Sequence, residues 1–330
     1  MTESSSKTPP VVFSHRTALE LARAIQFERL SSNRKAISLP AAPPSKQDVE
    51  AAVQELRSRH GDFALSRPVH YLIGGSNGRF RTVRFSPHVC TGEIPSYSLQ
   101  SLGSGIRSAS PLFAFLQEAG RCNDFATLLL LGWEMCGTYQ TRRTSWNCGY
   151  NVRPLATVRS IREFVKRNPT QHGARTVTRL LPYLADGSAS ERETIMALLL
   201  GLPLKYGGYA LGIPRMNYRV DATSEARAIA GRTFFRCDLC WPSARLDVEY
   251  QSRESHEGEE SRVSDSKRAN ALENMGWDVV AITNKELDDP TAMDLIAQTI
   301  RRRLGIRSRR SNDTQAAKRL ELRRTLGLPS

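Results

Sequence analysis

The stretch "TFFRCDLCWPSARLDVEYQ", residues 233–251, constrains the fold more than any other part of the chain. Leu246, Val248 and Tyr250 alternate with Asp247, Glu249 and Gln251, the two-residue period of a strand with two different faces. With "TFFRCDL" before it and "WPSA" between them, the spacing predicts a strand–turn–strand unit. One face of the second strand is apolar and meets a core. The other carries Glu249 and Gln251, and is either solvated or a site. Strands in a hairpin lie about 5 Å apart. Asp238, late on the first strand, is therefore within reach of Glu249 around a hard cation.

The elements that follow make this an α/β domain. Helix "SDSKRANALENMG", stopped at Gly276, leads to strand "WDVVAIT" and helix "DPTAMDLIAQTIRRRL". Upstream, "GSASERETIMALLLGLP" predicts an apolar helix opened by a capping box of Ser190 and Glu193. Residues 111–183 read as helices, and 68–111 as short strands and turns. "GGSNGRF" between two of those runs predicts a hairpin turn, because no helix or GK[ST] follows it. "SHRTALELARAIQ", capped by Ser14, and "KQDVEAAVQELRSRHG" predict two further helices. The expected division is a disordered tail over 1–11, an α+β domain over 12–184, an α/β domain over 185–306, and a basic tail over 307–330 carrying its own helix.

A chain of 330 residues holds about two domains. Its formal charge of +14 favours polyanionic partners, nucleic acid first and an anionic membrane surface second. The first ten residues lack the apolar run of a secretory signal, and the longest apolar runs fall far short of the ~20 residues that span a bilayer. A cytoplasmic protein without a membrane partner is expected, and its six cysteines are then expected reduced. Cys237 and Cys240 form C-x-x-C, but no second ligand pair completes a zinc site. A redox motif opens a helix, whereas this pair lies on a strand. The sequence contains no Walker loop, dinucleotide fingerprint or serine-hydrolase motif.

"FFRCDLCWPSARLDVEYQ" together with "RVSDSKRANALENMGWDVVAITNKEL" resembles the restriction-endonuclease-like PD-(D/E)XK superfamily, in the branch related to very-short-patch-repair endonucleases. Arg262, Asp265, Arg268, Leu272, Gly276, Trp277 and Thr283 carry that resemblance beyond the hairpin. "GSASERETIMALLLGLPLKYGGYAL" resembles the helix and turn before this domain in actinobacterial members, and "GIRSASPLFAFLQ" is similar to an AbiEi-type antitoxin segment. The resemblance implies a mixed sheet flanked by helices over 185–306, behind an α+β N-terminal binding module.

The resemblance also implies a Mg2+-dependent nuclease, with Mn2+ as a substitute, cutting phosphodiester bonds of DNA ahead of RNA in phage defence or repair. Asp238 and Glu249 would be metal ligands, with Glu193 the helix acid at the same metal. Gln251 stands where the pattern has lysine, and an amide orients water only by hydrogen bonds. That departure keeps open a second reading, an inactive nucleic-acid-binding or antitoxin-like regulator. His256, Arg262, Lys267, Arg268, Arg301, Arg302 and Arg303 are the candidate nucleic-acid contacts, and a homodimer is a further expectation. His256 also reads as a solvated loop residue, and Arg262, Asp265 and Arg268 as ion pairs on an exposed helix face.

Overall fold

The computed structural model describes residues 10–25, 27, 30–77, 81–251, 259–307 and 313–329, and only the backbone of 259–262. The elements run β1 (Val12–Phe13), α1 (His15–Ile25), α2 (Lys46–His60), β2 (Val69–Ile73), β3 (Phe85–Val89), β4 (Leu99–Gly103), β5 (Ile106–Ala109) and α3 (Pro111–Arg121). They continue with α4 (Phe125–Cys136), β6 (Tyr139–Gln140), β7 (Gly149–Tyr150), α5 (Val158–Arg167), α6 (Ala174–Leu180), α7 (Glu191–Gly201), β8 (Arg215–Asp221) and α8 (Ser224–Ala230). The last are β9 (Phe234–Trp241), β10 (Leu246–Gln251), α9 (Glu259–Asn274), β11 (Asp278–Thr283), α10 (Asn284–Asp288), α11 (Pro290–Arg303) and α12 (Asp313–Thr325). The fold is mixed α/β, with mixed sheets flanked by helices. Short polar side chains start the helices by accepting from free first-turn amides: Ser45, Ser110, Asp124, Thr157, Ser190, Thr223 and Thr283 each do so. No helix among the described residues is long and apolar enough to cross a membrane.

The chain divides into two compact units, Met1–Asn123 with Gln140–Leu181, and Asp124–Tyr139 with Pro182–Ser330. The first unit is built on a five-stranded sheet in the order β3-β2-β1-β5-β4. Phe13, Leu21, Val49, Leu56, Tyr71, Ile73 and Phe85 bury one core between α1, α2 and this sheet. β2 and β3 pair in parallel, so "GGSNGRF" does not close the expected hairpin. Part of its glycine content serves close approach instead: a Cβ on Gly74 would lie 2.5 Å from the Pro40 carbonyl oxygen.

The second unit holds a four-stranded sheet in the order β11-β10-β9-β8. The expected strand–turn–strand unit forms: β9 and β10 are antiparallel, joined by a single 3-10 turn over Pro242–Ala244. β10 and β11 are parallel, and α9 makes the crossover that such a pair requires. Phe235, Cys237 and Cys240 on the sheet bury one core with Val220, Ala226, Ala271 and Leu272. Neither β8 nor α8 is legible from periodicity. Asn217 interrupts β8 with φ +46, and α8 has only seven residues. The division differs from the expected one. α4, with Leu129, Trp133 and Met135 wholly buried, belongs to the second unit.

The C-terminal segment is a correction as well. α12, expected in a basic tail apart from the α/β domain, belongs to the second unit, where Leu322, Arg323, Leu326 and Leu328 are all buried. The Arg323 guanidinium donates to the carbonyls of Pro329 at 2.7 Å, Leu287 at 3.2 Å and Asp288 at 2.6 Å. Arg319 reaches Asp294 at 2.8 Å and lies over the Tyr209 ring. Two of the seven Lys and Arg side chains of 307–330, Arg319 and Arg323, therefore serve internal structure. Arg323→Ala strands these carbonyls and should destabilise the second unit by roughly 3 kcal/mol. Arg324→Ala, at an exposed position, should leave the urea midpoint unchanged. Equal midpoints for the two variants would return the segment to a solvated tail.

Candidate active site

Three elements of the second unit aim acids at one region. Ser190 caps α7 by accepting from the Glu193 amide at 3.1 Å. The reciprocal half of the expected capping box is displaced by one residue, because Glu193 accepts from the Ala189 amide at 3.0 Å. Its carboxylate also accepts from the Ser190 hydroxyl at 2.9 Å and the Asn217 amide at 2.9 Å. Asn217 is the left-handed residue in β8, a conformation asparagine tolerates better than most side chains. The flanking pairs Met216–Leu239 and Tyr218–Cys237 put it opposite Asp238.

The β9–β10 ladder runs through Trp241–Leu246, Cys240–Asp247 and Leu239–Val248. Past that point the Tyr250 amide donates to the Asp238 carboxylate at 3.0 Å. Glu249 is in the electrostatic surroundings of Asp238, and Asp238 in those of Glu193. Two residues before Glu249, and therefore on its face of the strand, lies Asp247, which is wholly buried. α9 covers this face with Arg268, whose guanidinium lies 2.6 Å from Glu249 and 3.6 Å from Asp247. It also donates to the Arg236 carbonyl. Neither oxygen of Asp247 has a hydrogen-bond partner in standard geometry.

Glu193 and Asp247 are buried and Asp238 and Glu249 half-buried, the Arg268 guanidinium is close only to Glu249 and Asp247, and loss of water makes ionising all four acids unfavourable. Burial, then the charge of Asp238, pushes Glu193 up to about 7 against its three hydrogen bonds. Burial, then Glu249, pushes Asp238 up to about 7. Asp247 and Glu249 are both displaced upward, by burial first, and Arg268 opposes the shift in each. They behave as a coupled pair rather than as independent acids. With all four ionised, the cluster carries a charge that a single guanidinium does not neutralise.

Glu193 has Asp238, and Asp238 has Glu249, in its electrostatic surroundings. The structure does not draw one oxygen from each of the three within 4.8 Å: the group that meets this measure among the described residues is His15, His70 and His88. Gln251 ends β10, half-buried, beside Thr283 of β11. Arg268, a candidate phosphate contact, pairs here with Glu249 and lies beside Asp247. Arg301 and Arg303 also turn to protein, to the carbonyls of Tyr209 and Val279. Lys267 and Arg302 are exposed. His256 and the Arg262 side chain lie outside the described residues. Asp247 and Asn217 were missed. Asp247 was visible as the first acid of the D-x-E alternation, but nothing in the strand itself says that a helix covers that face.

No family model matches the chain, and no solved structure matches it. Over 136 residues it is 31% identical to an uncharacterized protein of Mycobacterium tuberculosis strain CDC 1551 / Oshkosh and to one of strain ATCC 25618 / H37Rv. The match covers 40% of this chain and 44% of each relative, so the chain spans less than half of their length.

The raised acids give a pH dependence of definite sign. Glu193, displaced from 4.5 to about 7, holds a proton in the fold that the unfolded chain has already released. Its contribution to stability is full below the unfolded value and is lost as pH rises through the folded one. In EDTA the urea stability of the second unit should fall between pH 5 and pH 8, with up to roughly 3 kcal/mol of that fall from Glu193. Glu193→Gln should flatten this slope, and an unaltered slope would exclude Glu193 as a source.

Proposed function

We propose that the second unit is a divalent-cation-dependent nuclease that hydrolyses phosphodiester bonds of DNA. The observation that carries this reading is the convergence of Asp238 and Glu249 where the β9–β10 ladder gives way, with Glu193 facing Asp238 from α7. The arrangement of hairpin, crossover helix and parallel strand accords with the endonuclease-like resemblance of the sequence. The donor set suits Mg2+, or Mn2+, because it consists of carboxylate oxygens.

Asp238 and Glu249 would hold the ion, with Asp247 and Glu193 completing the negative charge around it. When bound, such an ion polarises a phosphoryl oxygen and acidifies a water. Gln251, on the Glu249 face of β10, orients the attacking water through its amide. Arg268, beside Glu249, would provide positive charge next to the region where the phosphate gains negative charge. Lys267 and Arg302 contact backbone phosphates, which makes binding salt-dependent.

A specific observation favours a second reading. Arg268 already pairs with Glu249, and Gln251 replaces the lysine that would stabilise the transition state. Both features fit a nucleic-acid-binding protein that has lost cleavage. The test is cleavage of mixed DNA and RNA substrates by the full chain with Mg2+ or Mn2+. Wild type should cut DNA slowly, and Asp238→Ala should lower the rate by at least about 10²-fold. Gln251→Lys should raise it about tenfold, a barrier change of roughly 1.4 kcal/mol. If wild type and Gln251→Lys are both silent while wild type binds DNA tightly, the nuclease reading fails and the binding reading stands.

A further inference from the structure

Three of the chain's six histidines, far apart in sequence, meet in the first unit. The topology brings them together. β1 runs antiparallel to β2, and the Ser14 amide that follows β1 donates to the His70 carbonyl at 3.0 Å. His15 opens α1 directly beyond it. β3 runs parallel to β2 with His88 opposite Leu72, which places His88 diagonally across from His70 on the same face. One ring nitrogen from each histidine lies within 4.8 Å of the others. The His15 and His88 rings stack at 3.7 Å between centroids, and His70 Nδ1 lies 2.8 Å from His88 Nε2.

We infer that His15, His70 and His88 form a Zn2+ site with three imidazole ligands and an open fourth position. Such a site needs Zn–N distances of about 2.0–2.1 Å, which separate tetrahedral ligand atoms by about 3.3 Å. The facing nitrogens of His70 and His88 are therefore about half an ångström too close for a shared ion, and the near-parallel rings, 23–32° between planes, have to turn about their side-chain bonds before their lone pairs aim at one ion. Zn2+ replaces one hydrogen bond between them by two metal bonds. His15 Nδ1 lies 3.0 Å from the Ser14 hydroxyl. An Nδ1–H donated there leaves Nε2 as the ligand atom, the second-partner arrangement that orients metal-binding histidines.

The surroundings agree. Zinc takes neutral imidazole, and burial, helped by neighbouring positive groups, lowers His15 to about 2 and His70 to about 4, so both rings are deprotonated at neutral pH. Two of the nearby cations are paired with acids: Arg16 with Glu20 at 3.1 Å and Arg121 with Glu118 at 3.3 Å. His15 is held at φ +52, in the left-handed region. Strain of that kind in a non-glycine residue collects at functional sites.

The experiment uses the full chain, stripped with a chelator and titrated with Zn2+ alone. The expected result is one ion bound per chain, with X-ray absorption showing nitrogen or oxygen near about 2.0 Å and no sulfur near about 2.3 Å. His15→Ala, His70→Ala and His88→Ala should each weaken binding at least about tenfold, while His60→Ala, on the exposed end of α2, should not. Glu249→Gln should leave Zn2+ affinity unchanged, which separates this site from the acids of the second unit. If an alanine variant fails to fold, Co2+ added to wild type decides the matter, since a tetrahedral visible spectrum is expected. Sulfur ligation, an octahedral Co2+ spectrum, loss of binding in Glu249→Gln alone, or no stoichiometric binding would overturn the assignment.

Discussion

The second unit depends on one interaction, the contact of the Arg268 guanidinium with the acids of β10. Moving a carboxylate out of water costs several kcal/mol even after relaxation, and β10 places a wholly buried one, Asp247, two residues from a half-buried one, Glu249. The strand is tolerable only with a counter-charge or with protons on its acids. α9 brings the counter-charge, and α9 is also the crossover that makes β11 parallel to β10. Connectivity and charge compensation are thus supplied by the same helix. One guanidinium does not balance four carboxyls, so the acids rise toward neutrality and leave a region with a standing demand for positive charge.

The formal charge of +14 is a poor guide to the surface of this molecule. Arg268 faces buried acids, Arg301 and Arg323 donate to backbone carbonyls, and Arg319 pairs with Asp294 across an aromatic face. Arginine suits these places because its planar fork satisfies several acceptors and stays charged when buried. The basic C-terminal pattern is divided in this way between internal joints and exposed side chains such as Lys267, Arg302 and Arg324.

The two candidate sites differ in chemistry. In the second unit, oxygen donors sit where a strand ladder opens, and they suit a hard ion that keeps its waters. In the first, nitrogen donors converge from β2, β3 and the start of α1, and they suit a borderline ion such as zinc. Each arises where the sheet brings together residues that the sequence keeps apart.

Local signals settled much of this protein in advance. The period of β10, the "WPSA" turn, the stop at Gly276 and the cap at Ser190 are properties of a few adjacent residues, and the elements they mark are present. That Asp238 and Glu249 lie on paired strands was legible because a hairpin is a short-range object. Long-range pairing decided the rest. The parallel register of β2 and β3 turned an apparent hairpin into a crossover and brought His88 to His70. The docking of α9 turned a face that the strand alone left open into a buried one, and made Asp247 part of the acid cluster. Periodicity records which side chains share a face, whereas what covers that face depends on contacts between segments distant in sequence, and only the tertiary structure contains those.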